Sequence, residues 1–153
     1  MAKQIIVTTH TEPMQHFFAE LTVGDCCVES VCILDKMIDD FAKLSGDYAP
    51  IHTNDEHAQQ LGYSQRLLPG FLTQLRFSRL LSMFMPGTLA IEHSIKFEYK
   101  KPIYVKTNQG LILNYKVTVS RLSEAMKAVI LDLEVQKCED TFVKGTVQCL
   151  MMK

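Results

Sequence analysis

No tryptophan occurs in the 153 residues, Pro and Gly number only 5 and 7, and neither sign of charge predominates, with 16 Lys and Arg against 17 Asp and Glu. Each scarcity removes a class of protein. A formal net charge of −1 supplies no basic field to hold a nucleic-acid backbone. With so little Pro and Gly there is no linker or low-complexity run, and no internal repeat is visible. Long apolar stretches are missing too: the opening "MAKQIIVTTHTEPMQHFF" breaks its short apolar patch with His, Thr, Glu and Pro, which fits neither a signal peptide nor a membrane anchor. The 5 cysteines (Cys26, Cys27, Cys32, Cys138 and Cys149) are odd in number and lack C-x-x-C spacing. They read as buried, reduced thiols, and the chain is expected in the cytoplasm, bound to neither nucleic acid nor membrane.

What is present is apolar. Hydrophobic residues make up 47% of a chain whose length suits one domain with one core. A mean hydropathy of +0.04 is high for a small domain and predicts that another copy covers part of the surface, as in a homodimer or a higher even oligomer. Residues 1–16 lack a sustained period and are expected to be an N-terminal extension or an extra edge strand, leaving 17–153 as a single domain.

Residues 26–34, "CCVESVCIL", read as a strand. A helix follows, with Asp35 as its N-cap and Gly46 as its stop. Asn54 caps a short helix that ends at Gly62, and Pro69-Gly70 opens "FLTQLRFSRLLSMFM", the most apolar helix, expected to be largely surrounded by protein. The second half changes period. Four segments alternate apolar and polar positions, most clearly at Leu111, Leu113, Tyr115, Val117 and Val119, and their short connections predict an antiparallel meander. Helices first and strands later make an α+β domain, with the sheet wrapped on the helix that starts at Gly70.

Between the first two helices lies "LSGDYAPIH", residues 44–52, which sets a carboxylate, Asp47, and an imidazole, His52, on one loop stiffened by Pro50. Singly, Asp47 reads as a turn former and His52 as a structural histidine. Together with their neighbours through residue 87 they resemble the MaoC-like, (R)-specific enoyl-CoA hydratase and dehydratase family, whose hydratase motif runs Leu-Ser-Gly-Asp-x-Asn-Pro-Ile-His.

The resemblance implies the hot-dog fold, a curved antiparallel sheet around a long central helix. It also implies reversible hydration of trans-2-enoyl thioesters to (R)-3-hydroxyacyl thioesters, with coenzyme A or an acyl carrier protein as the carrier. Asp47 and His52 match the catalytic acid/base pair, Gly70 the backbone donor to the thioester oxyanion, and Ser78 a supporting polar contact. No metal or separate cofactor is implied, since coenzyme A or phosphopantetheine is part of the substrate. Two positions depart from the family pattern: Ala49 stands in place of Asn, and Pro69 in place of His.

Arg66, Arg76, Arg79, Lys100 and Lys101 suit a nucleotide phosphate or an acidic carrier surface. Phe71, Leu72, Leu80, Met83, Phe84 and Met85 suit an acyl chain or, better, the core. His10, His16, His57 and His93 have no matching partners, and metal-ligand spacing is absent. Two rival functions use the same fold: an acyl-thioester-binding protein without turnover, and a thioesterase.

Overall fold

Alternation decides the second half of the molecule. Along β4 (Leu111–Ser123), Leu113, Tyr115, Val117 and Val119 are buried while Asn114, Lys116 and Thr118 point to the other face. β5 (Ala128–Lys137) and β6 (Asp140–Met151) follow the same rule, burying Leu131, Leu133, Val135, Val143 and Val147. Side chains in a strand point alternately to its two faces, so one face of the sheet is apolar. The computed structural model describes residues 1–152 and seats α4 (Gly70–Met83) on that face. Phe77 is the contact at its centre, with its ring centroid 5.3 Å from Tyr115 and 5.6 Å from Phe97 of β3 (Ala90–Tyr99). Leu80, Leu81, Phe84 and Met85 complete this side of the core. The arrangement is the expected hot-dog fold.

The sheet has six strands in the order β1-β2-β4-β5-β6-β3. β1 (Gln4–Val7) pairs in parallel with β2 (Cys26–Ile33), and Val7 reaches the core, so the first residues add an edge strand. The expected meander holds only from β4 to β6. β3 crosses over to pair with β6, and β4 takes β2 as its second neighbour, while in the segment joining β3 to β4 Tyr104 bridges Leu67 of the loop before α4.

At this outer edge β3 is exposed along most of its length, including Ile91, Ile95 and Tyr99. Nor is α4 enclosed as expected. Phe71 and Leu75 are 72% and 50% exposed, on a stripe that continues through Ser78 and Ser82 and borders the free edge of β3.

α1 (Asp35–Ser45) buries Ile38, Phe41 and Ala42. Its N-cap is Leu34 rather than Asp35, which sits in the first turn, where its charge favours the helix dipole. All 5 cysteines are free, but only Cys26, Cys27 and Cys149 are buried. Cys32 points to the outer face of β2, and Cys138 occupies the β5–β6 turn at φ 53. Burial pushes the thiols of Cys27 and Cys149 up to about 12. No helix among the described residues is long and apolar enough to cross a membrane.

Candidate active site

Gly46 closes α1 in the left-handed region at φ 78, donating its N–H to the Ala42 carbonyl at 2.8 Å. This turn throws the next residues back across the helix end. The Asp47 N–H donates to Ser45 Oγ at 3.1 Å, and Asp47 Oδ1 accepts the Ala49 N–H at 3.1 Å, so local bonds orient the carboxylate. Ala49 is the N-cap of α2 (Pro50–Thr53), where Pro50 supplies the φ a first helical residue needs.

His52 is the third residue of α2, and its Nδ1 lies 2.9 Å from the Leu67 carbonyl. A carbonyl can only accept, so Nδ1 carries a proton, and in the neutral ring Nε2 keeps the lone pair. The Leu67 N–H in turn donates to the Ile51 carbonyl at 3.0 Å, which ties the loop before α4 to the helix bearing His52. α3 (Asp55–Gln60) begins at once, and the Asn54 side chain caps it by accepting the His57 N–H at 2.9 Å.

At the start of α4 the Pro69 carbonyl accepts both the N–H and the hydroxyl of Thr73, at 3.0 and 3.1 Å. The N–H groups of the first turn, Gly70 among them, have no carbonyl a turn earlier to bond and are free for an anion. A side chain at this point would displace Tyr99. A Cβ built on Gly70 would lie 2.7 Å from Tyr99 Cζ and 2.8 Å from the Tyr99 hydroxyl oxygen.

Two cavities flank this turn. His52 and Gly70 line one of about 360 Å³, together with Tyr63, Thr73 and Tyr99. Asp47 and Ser78 line its larger neighbour of about 640 Å³, whose walls include Phe41, Phe71, Leu75 and Phe97. A hydrogen bond between Gln74, on the larger cavity, and Tyr99, on the smaller, marks the boundary. Asp47, His52 and Gly70 are half-buried, whereas Ser78 is exposed on the outer stripe of α4.

The five basic residues divide. Arg76 makes a bidentate pair with buried Glu29, at 2.7 and 2.8 Å, and Arg79 holds the same carboxylate. Arg66 pairs with Asp39 at 3.1 Å. These three are committed to carboxylates of their own chain, which corrects their reading as carrier contacts. Lys100 and Lys101 pair with the exposed Glu98 and Asp140 and border the His52 cavity.

Phe71 is also corrected: it is exposed, whereas Leu80, Phe84 and Met85 are core. Sequence reasoning passed over Tyr99, Gln74 and Thr73. The alternation of Ile95, Phe97 and Tyr99 was the available signal for the first of them.

A family model described as MaoC like domain matches residues 15–137. A mitochondrial 3-hydroxyacyl-[acyl-carrier-protein] dehydratase of Arabidopsis thaliana is 32% identical over 85 residues, which cover 56% of this chain and 50% of the plant protein. The chain thus spans about half the length of that relative. An (R)-specific enoyl-CoA hydratase of Rhodospirillum rubrum is 29% identical over 114 residues, covering 74% of this chain and 76% of the relative. Among solved structures, an (R)-hydratase from A. caviae superposes with a TM-score of 0.77 at 24% identity, over 86% of this chain and 97% of that one.

Proposed function

The chain belongs to the MaoC-like domain family, and on that premise we propose that it is an (R)-specific hydro-lyase interconverting trans-2-enoyl and (R)-3-hydroxyacyl thioesters. The observation that carries the reading is the α1–α2 loop, where local hydrogen bonds hold the Asp47 carboxylate and the Leu67 carbonyl fixes the His52 tautomer.

In hydration, Asp47 orients a water by accepting one of its protons in a hydrogen bond, and His52 Nε2 takes the other. The water oxygen bonds to C3, the C2–C3 π pair shifts towards the thioester, and charge gathers on the carbonyl oxygen at the Gly70 N–H. A proton returned by the same pair to C2 completes the addition on one face. Dehydration runs the same steps in reverse.

The larger apolar cavity suits the acyl chain. The smaller one, bordered by Lys100 and Lys101, suits the pantetheine arm and the phosphate of coenzyme A or of a carrier protein. Free thiols fit a reducing compartment, and we assign the protein to the cytoplasm.

A homodimer completes the reading. The unpaired edge of β3 and the exposed Phe71, Leu75 and Ile95, which line one cavity, offer an apolar surface that a second copy could cover. The protein is expected to sediment as a dimer or a higher even oligomer at micromolar concentration. A clean monomer there would remove this part of the proposal.

The two departures from the family pattern predict a tuned site. Ala49→Asn places an amide at the N-cap of α2, stabilising the loop by about 1 kcal/mol. Turnover should be unchanged or raised. Pro69→His keeps the carbonyl that Thr73 uses and should alter mainly the Michaelis constant.

Mixing the protein with crotonyl-CoA tests the function itself. Loss of the enoyl chromophore without thiol release is the expected result. Thiol release would mark a thioesterase, and binding without change would mark an acyl-binding protein, the reading that Ala49 and Pro69 favour.

A further inference from the structure

Gly70 N–H is a single donor for an oxygen that takes up most of a negative charge, and a phenol lies beside it with no role assigned. Tyr99 ends β3, borders the same cavity as His52 and Gly70, and has its ring end flush against the Gly70 Cα, as the 2.7 Å approach to a built Cβ records. At 51% exposure it is not a core residue that packing alone would demand. Its hydroxyl accepts a hydrogen bond from the side-chain amide of Gln74, one turn after Gly70 on α4. That bond occupies a lone pair on the phenol oxygen, so the phenol's own proton must point elsewhere, and the cavity it borders is the one containing Gly70 and His52.

Resting on the hydro-lyase reading above, we infer that Tyr99 is a further catalytic residue: its O–H, aimed by Gln74, donates to the thioester oxygen alongside the Gly70 N–H. When the water oxygen bonds to C3, the displaced π pair reaches that oxygen through C2 and C1. Two donors then meet the charge at its maximum, and the charge returns when C2 takes its proton. Gln74 acts through Tyr99 and is a positioning residue. A Cβ at position 70 would shift the phenol from this place, so Gly70 and Tyr99 are matched to one another.

Tyr99→Phe keeps the ring against Gly70 and removes only the hydroxyl. It should lower kcat on the order of 10²-fold, as loss of one oxyanion donor does, with the Michaelis constant within about threefold and the melting temperature unchanged. Gln74→Glu reverses the hydrogen bond, drawing the phenol proton onto the carboxylate, and should lower kcat to a similar degree. Gln74→Leu should cost less, because the phenol proton is then unaimed but not captured.

A readout independent of turnover is the carbonyl stretch of a carbon-13-labelled crotonyl-CoA bound to each protein. The native enzyme should lower this frequency, and Tyr99→Phe should restore part of the shift. If the native protein turns over crotonyl-CoA and Tyr99→Phe retains full kcat and the same carbonyl frequency, the phenol donates nothing and the inference falls while the Asp47/His52 mechanism stands. If the native protein binds without turnover, the carbonyl frequency alone decides. If it neither binds nor turns over the thioester, both readings fall. A Gln74→Glu variant with native kcat would overturn the assigned direction of the Gln74–Tyr99 bond.

Discussion

Replacing Asp47 by Asn, or His52 by Ala, should lower hydration of an enoyl thioester by roughly 10²–10⁴-fold, the range for loss of a positioned acid or base. On the proposed mechanism the two groups act on one water, so the two substitutions made together should cost little more than either alone. Stability should change little in either variant. In Asp47→Asn the amide oxygen would still accept the Ala49 N–H that Asp47 Oδ1 accepts now. His52→Ala would lose one hydrogen bond, to the Leu67 carbonyl, worth about 1 kcal/mol. Measuring kcat/KM beside the melting temperature separates a catalytic defect from a folding one. Near-native activity in either variant would remove the mechanism while leaving the fold in place.

The second large effect falls on stability. Glu29 lies on β2 opposite Tyr115 of β4, its side chain 3% exposed, and among the described residues its compensation is the Arg76 and Arg79 pair on α4. Burial pushes the Tyr115 phenol upward, with the Arg76 charge opposing and the Glu29 charge adding to it, and its hydroxyl has no hydrogen-bond partner among the described residues. Glu29→Ala would leave two half-buried guanidinium groups side by side without a counter-charge, and should cost about 3 kcal/mol. For a domain of this size that is a fall of about 6–12 °C in melting temperature. Replacing Glu29 by Leu together with Arg76→Met and Arg79→Met should recover most of the loss, since a buried ion network exchanged for apolar side chains of similar volume is often neutral or better. A Glu29→Ala protein with native melting temperature would show that the network does not hold α4 against β2.

Those arginines also mark where sequence reasoning stopped. Arg76 and Arg79 looked available for a phosphate because nothing near them in sequence neutralises them. Their partner is 47 and 50 residues away, on a strand whose Glu reads as one polar position in an apolar run. Local signals carried far better. Gly46, Asn54 and Pro69-Gly70 each act within one turn, and each lies where its chemistry predicts. The alternation of β4 likewise needs only the strand itself.

Pairing order was not legible in this way. Short turns fix β4-β5-β6, but nothing in the β3 sequence says that it crosses to β6 rather than joining β4. That crossover puts Tyr99 beside Gly70, so the residue was out of reach until the strand order was known. Ser78 was placed by resemblance alone and lies on the exposed stripe of α4, lining the Asp47 cavity.

The most direct measurement of the central claim is the configuration of the product formed from crotonyl-CoA in deuterium oxide, read by NMR. A single Asp47/His52 pair delivering both oxygen and proton to one face predicts (R)-3-hydroxybutyryl-CoA carrying one deuterium at C2, added syn to the new hydroxyl. A product of (S) configuration, anti addition, or no hydration at all would contradict the account.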